Sequence, residues 1–326
     1  MNPLETFEFA AHRPLIEEIN RLKKEKRAVL LVHNYQTPEI FHGVADFTGD
    51  SLGLSQRAAE ATDCERIVFC GVHFMAETAK LLNPSKKVLI PDLEAGCSLS
   101  ESITVEDVRA LKKKHPGAPV VCYINTQADI KAESDICCTS ANAVQIVNSL
   151  AEKKVIFIPD EYLGKNVARE TNKEIITHPG RCMVHEQFTK EDIENYRKEY
   201  PGIQVFAHPE CDPEVVKAAD ISGSTAVMVD YARNTKAKKI MLVTECSMSD
   251  NIRILFPEKD FHVPCTFCPH MKKITLQNIL QSLKEDIHEV VIEPAVAEKA
   301  RRSVERMLEF SSHAPRHLSD SKNKAA

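Results

Sequence analysis

The sequence predicts an α/β protein of three similar α/β/α units, each with a short parallel sheet, in pseudo-threefold arrangement. Three observations carry this expectation. Short β-branched runs alternate with helix-like stretches, the pattern of parallel sheets covered by helices. The runs recur three times as one ordered set, so the chain repeats a single plan. A cysteine closes each repeat, at Cys97, Cys182 and Cys268, with spacings of 85 and 86 residues.

Each repeat opens on an apolar run that reads as a buried strand, at residues 28–33, 119–123 and 203–208. From the polar end of that run an Asp follows after 12 or 13 residues: Asp46, Asp135 and Asp220. Five residues later comes a hydroxyl, at Ser51, Ser140 and Thr225. Helix-like stretches follow at 53–62, 142–152 and 227–234. A second apolar run ends twenty residues past each hydroxyl, at 67–71, 155–160 and 240–245. The last runs, 88–91, 175–179 and 261–264, each end in a proline just before the repeat's cysteine.

Outside the repeats, residues 14–26 carry Leu15, Ile16, Ile19 and Leu22 at helical spacing, which predicts a helix with one buried face. Residues 294–310 read the same way and open on Pro294, a residue suited to a first helical turn. The polar tail 311–326 reads as frayed. The expected organisation is a first unit with its N-terminal helix at 1–103, a second at 104–188 and a third at 189–275. A C-terminal helical segment, 276–326 with its tail, packs back on them.

The 326 residues balance 42 Lys+Arg against 47 Asp+Glu, for a formal charge of −5. Hydrophobic residues at 43% and charged residues at 27% exclude a wholly disordered chain. No apolar run approaches the roughly 18 residues of a membrane span, and residues 1–13 hold no apolar signal core. The acidic balance argues against a nucleic-acid surface. A cytoplasmic protein without membrane or nucleic-acid partners is expected. Eleven cysteines in a reducing compartment then predict thiols rather than disulfides. Some are small buried hydrophobes, and the rest are candidate ligands.

In open α/β sheets ligands bind beyond the carboxyl ends of the strands, and Cys97, Cys182 and Cys268 each follow the last strand of a repeat. Three thiolates from three loops suit a [4Fe–4S] cluster with one iron free of protein ligands, a Lewis acid. A local alternative is a zinc knuckle in His262-Val-Pro-Cys265-Thr-Phe-Cys268-Pro-His270, although its spacing is cramped. Cys265 could also replace Cys268 as the cluster ligand. The first-strand ends supply His33-Asn-Tyr35, Tyr123-Ile-Asn125 and His208-Pro-Glu210, groups that exchange or donate protons. Ser51, Ser140 and Thr225, with neighbouring Ser224, precede the helix-like stretches; they read as N-caps that also receive carboxylates or phosphate. Neither a G-x-G-x-x-G nor a P-loop pattern occurs, so nucleotide binding is poorly supported.

These stretches together resemble the quinolinate synthase family of bacterial NAD synthesis. The likeness rests on His33-Asn-Tyr-Gln36, Ala45-Asp-Phe-Thr-Gly-Asp-Ser51, Pro91-Asp-Leu-Glu-Ala-Gly-Cys97, Tyr123-Ile-Asn125 and Cys138-Thr-Ser-Ala-Asn-Ala143. It continues through His178-Pro-Gly-Arg-Cys182-Met-Val-His185, His208-Pro-Glu-Cys211, Gly223-Ser-Thr225 and Cys268-Pro-His-Met271. The resemblance implies a transferase that condenses iminoaspartate (iminosuccinate) with dihydroxyacetone phosphate to quinolinate, phosphate and water. It implies a [4Fe–4S] cluster on Cys97, Cys182 and Cys268, and L-aspartate oxidase or aspartate dehydrogenase as the source of iminoaspartate. Implied substrate ligands are His33, Ser51, Tyr123, Ile124, Asn125, Ser140, His208, Pro209, Glu210, Ser224 and Thr225. Glu210 with His208 is expected to move protons, while Tyr35, Tyr123 and His33 assist isomerisation and ring closure. The pattern departs at its end, where Cys265 alone accompanies Cys268, so redox regulation there is not implied. An iron–sulfur hydro-lyase, or a cluster- or zinc-bearing redox sensor, are the competing functions.

Overall fold

The computed structural model describes residues 7–311, and the tail expected to fray lies, from residue 312 on, outside them. Within that span, β1 (Ala28–His33), β2 (Phe47–Gly49), β3 (Arg66–Cys70) and β4 (Lys87–Leu89) form one sheet. A second holds β5 (Val120–Tyr123), β6 (Ile136–Cys138), β7 (Lys154–Ile158) and β8 (Glu174–Thr177). The third holds β9 (Gln204–Ala207), β10 (Ile221–Ser222), β11 (Lys239–Val243) and β12 (Asp260–His262). The strand orders, β2-β1-β3-β4, β6-β5-β7-β8 and β10-β9-β11-β12, are the same pattern three times. All pairings within them are parallel. The predicted α/β class with three similar sheets is therefore what forms.

The repeated aspartates explain part of this identity. Asp46 Oδ2 accepts the Leu30 amide at 2.8 Å, Asp135 Oδ2 that of Val120 at 2.7 Å, and Asp220 Oδ2 that of Val205 at 2.8 Å. Each Asp amide returns a bond to the same residue's carbonyl, at 3.0, 3.0 and 2.9 Å. One carboxylate thus pins the short side strand to the central strand in every sheet, which offsets how few ladder bonds β2, β6 and β10 can make.

Leu30, Leu31, Val121, Ile156, Phe206 and Leu242 are fully buried, as expected of parallel strands covered on both faces. Helix Arg13–Glu25 buries Ile16, Ile19 and Leu22 and packs on β1 and on helix Leu276–Glu285. Helix Pro294–Ser311 lies across β6 and helices Ala128–Ala132 and His73–Leu82, burying Ala300, Val304 and Met307. It thereby ties the first two sheets together. No helix among the described residues is long and apolar enough to cross a membrane.

Two sequence readings need correction. Ser51 and Thr225 do not cap their helices but occupy the first helical turn, while Asp50 accepts from Gly53 and Ser224 from Val227. Ser140 stands before Asn142, which precedes helix Ala143–Ser149 without a side-chain cap. The chain also holds a disulfide, Cys246–Cys265, where thiols were expected. The start of helix Cys246–Leu255 and the loop after β12 bring the two Cα atoms within 5.2 Å, a distance natural to that bond.

Candidate active site

Parallel sheets leave their functional side chains where the central strands end, and here the ends of β1, β5 and β9 reach a common cavity, partly open to solvent. The first sheet contributes His33, Tyr35 and Ser51, the second Tyr123, Asn125 and Ser140, and the third His208, Glu210 and Thr225. Cys97, Cys182 and Cys268 line the same cavity, each a free and partly exposed thiol. Ile124, Pro209 and Ser224 stand behind the wall. Ile124 is buried, Ser224 serves as a cap, and the Pro209 carbonyl accepts from Asn166 Nδ2 at 2.8 Å. Pro209 and Ser224 instead line a neighbouring groove, which meets the cavity at Ser140.

Glu210 is the electrostatic centre. It is 4% exposed, accepts a short hydrogen bond from Tyr123 Oη, and holds Oε2 2.8 Å from His185 Nδ1. Burial alone would raise this carboxyl, but the electrostatic pull of the adjoining His185 and His208 rings and these donors hold it well below the ordinary carboxylate range. Burial dominates at the phenols: Tyr35 and Tyr123 are pushed far up, Glu210 adding to it and the Thr244 hydrogen bond only partly offsetting it at Tyr35, so both remain O–H donors.

Backbone bonds set the histidine tautomers. The Tyr35 amide donates to His33 Nδ1 at 3.2 Å, and the Glu210 amide to His208 Nδ1 at 3.3 Å. Burial lowers both rings to about 3, so each is neutral at pH 7 and carries its proton on Nε2. Glu210 stands there as a proton acceptor beside four neutral donors, the Nε2–H of His33 and His208 and the Oη–H of Tyr35 and Tyr123.

Residues 17–309 match the profile of the family described as quinolinate synthetase A protein. The chain belongs to that family. A protein of Agrobacterium fabrum named quinolinate synthase is 59% identical over 295 residues, covering 90% of this chain and 85% of its own length. One of Mesorhizobium japonicum, named quinolinate synthase 1, is 60% identical over 293 residues and 90% of each chain. A Caulobacter vibrioides quinolinate synthase is 55% identical over 307 residues, 93% of this chain and 83% of its own.

The family member described here also carries site residues to which sequence reasoning gave no role. His185 stacks on His208 with ring centroids 4.6 Å apart, and its Nδ1 lies 3.2 Å from Cys182 Sγ. Its Nε2 meets Thr244 Oγ1 at 2.9 Å, and Thr244 in turn meets Tyr35 Oη at 2.6 Å. The spacing Cys182-x-x-His185 was the available signal. Glu245 lines the cavity with no exposed surface and pairs with Lys272 at 2.9 Å. No local pattern marks that pair, because Lys272 comes from a segment 27 residues away.

Soft donors for a metal are present on both sides. Cys182, a His185 ring nitrogen and a Glu210 oxygen all lie within 4.8 Å of one another, a group able to hold a metal ion. The three repeat cysteines sense one another's charge: desolvation first, then Cys268 for Cys97, raises Cys97 to about 12, and Cys97 also raises Cys182. Thiols in such surroundings ionise on binding a metal rather than alone. The zinc-knuckle reading loses two donors, since Cys265 is in the disulfide and His262 Nε2 is engaged by Asp260 at 2.9 Å.

Proposed function

We propose that the chain catalyses the condensation of iminoaspartate with dihydroxyacetone phosphate to quinolinate, phosphate and water, as a cytoplasmic transferase in de novo NAD biosynthesis. The observation that carries this reading is the convergence of a buried ionised Glu210, neutral proton donors and three free thiols on one cavity. The donor set fits a [4Fe–4S] cluster, since thiolates are its usual holders and Cys97, Cys182 and Cys268 have no disulfide partner. When bound, the cluster would supply Lewis-acid chemistry at an iron free of protein ligands.

The protein's own residues account for binding and proton movement. Iminoaspartate is a dicarboxylate, and Ser51 and Thr225 place hydroxyls in the first turns of their helices, the ends whose dipoles favour anions. Ser140 and Asn125 complete the second sheet's share of the wall. Glu210 takes protons at carbon during enamine formation and dehydration. His33 and His208, through Nε2–H, and Tyr35 and Tyr123, through Oη–H, donate to oxygens that become anionic or leave. Iminoaspartate would be supplied by L-aspartate oxidase or aspartate dehydrogenase.

The test is anaerobic turnover of iron-reconstituted protein with both substrates, measuring quinolinate and released phosphate together. Equimolar formation of both is the expected result. Dehydration without phosphate release would point to a hydro-lyase, and neither product would overturn the assignment.

A further inference from the structure

The turn that carries Tyr35 runs from the end of β1 to helix Pro38–Phe41, so the carbonyls of Asn34, Tyr35 and Gln36 have no ladder partners. Buried carbonyls need donors, and all three receive them from elements of the third sheet. Asn251 Nδ2 bonds Asn34 O at 3.0 Å and Gln36 O at 2.7 Å, straddling Tyr35. Lys272 Nζ bonds Tyr35 O itself at 2.7 Å. The far end of the same tyrosine, Oη, is held by Thr244. Tyr35 is therefore fixed at backbone and hydroxyl from across the cavity.

Lys272 has a second attachment. It meets Ser247 Oγ at 2.7 Å and Glu245 Oε1 at 2.9 Å, and that carboxylate oxygen accepts the Cys268 amide at 3.3 Å. The Lys272 amide returns a bond to Cys268 O at 3.2 Å. Asn251, by contrast, contacts only the turn through its amide nitrogen.

We propose that Lys272 and Asn251 are positioning residues for Tyr35, and that Lys272, through Glu245, holds the Cys268 loop in the same clamp. The placement of a proton donor and of a thiol ligand is thus set by one side chain. This rests on the roles given above to Tyr35 and Cys268.

The chain has six tyrosines and no tryptophan, so 3-fluorotyrosine labelling gives a ¹⁹F spectrum of six lines, with Tyr35 assigned by Tyr35→Phe. In metal-free protein, Asn251→Ala and Lys272→Met are expected to shift or broaden the Tyr35 line and leave the lines remote from the cavity in place. Lys272→Arg should restore it. After reconstitution, Lys272→Met should lose iron at least about tenfold faster to a chelator, whereas Asn251→Ala retains iron as wild type does and loses kcat by about tenfold or more with little change in KM. If Lys272→Met alone does not fold, the Glu245→Gln/Lys272→Met double variant, which leaves no unpaired charge, serves in its place.

An unmoved Tyr35 line in folded Asn251→Ala and Lys272→Met overturns the proposal. Equal iron loss in the Asn251 and Lys272 variants overturns the division of roles. If Tyr35→Phe turns over normally or wild type binds no iron, the functional reading fails instead, while the metal-free ¹⁹F result still decides the clamp.

Discussion

Glu210→Gln removes a charge and leaves the shape, which makes it the sharpest probe of the site. In the wild type one carboxylate oxygen takes the Tyr123 hydroxyl and the other faces His185 Nδ1 at 2.8 Å. A glutamine can accept from one of these donors, but its NH₂ then confronts the other. One charge-assisted hydrogen bond, worth about 1.5–3 kcal/mol, is exchanged for relief of burying a carboxylate, so the melting temperature should move by only a few degrees. Catalysis has no such compensation, because the amide cannot take a proton. General-base loss is worth about 10²–10⁴ in rate, or roughly 3–5 kcal/mol in the barrier. The assay is anaerobic quinolinate formation, with iron content and visible spectrum recorded on the same sample. A variant that keeps its iron and its fold yet turns over within about threefold of wild type would refute the proton-transfer role.

Three further outcomes are expected. Single Cys97→Ala, Cys182→Ala and Cys268→Ala variants should each lose most bound iron and sulfide on reconstitution; full occupancy in any one would remove that cysteine from the ligand set. Acid should destabilise the fold through His33, whose folded value of about 3 lies below the ordinary 6.5. The unfolded chain binds the extra proton between those values, so stability falls as pH drops below about 6.5, by about 2 kcal/mol at pH 5. Urea titrations at pH 7 and 5 should show His33→Gln losing less than wild type over that range; equal losses would count against a neutral buried His33. Asp286 acts in the same direction but at lower pH, held at about 2 by Arg66, at 2.9 and 3.0 Å, and by Lys87 at 3.1 Å. Its contribution is present above about pH 4 and lost as pH falls through about 2, so Asp286→Asn should cost about 1 kcal/mol at pH 7 and nothing at pH 2.

The parts of this fold legible in the sequence are those where one residue type does one local task three times. Asp46, Asp135 and Asp220 recur because each closes the same pair of backbone bonds between a side strand and its central strand. The cysteines recur because the chain leaves each last strand at the same end of its sheet. The strands β2, β6 and β10 stayed hidden: at two or three residues they are too short to show a period, and the aspartate rather than the ladder secures them. Of the hydroxyls read as caps only Ser224 is one, since Asp50 and Ser224 sit one position before Ser51 and Thr225 and take the same amides. What sequence could not convey is pairing across units. His185 gains its place only because Glu210 and Thr244 arrive from other segments, and Lys272 matters only because the Tyr35 carbonyl lies 2.7 Å away, 237 positions earlier in the chain. The Cys246–Cys265 bond belongs to the same class, joining a cysteine that read as packing to one that read as a candidate metal ligand, once β11 and β12 aligned their ends. Repetition writes the scaffold into the sequence three times over, while the chemistry depends on where the three copies differ: Glu210, after β9, takes its hydrogen bonds from Tyr123, at the end of β5, and from His185, beyond β8.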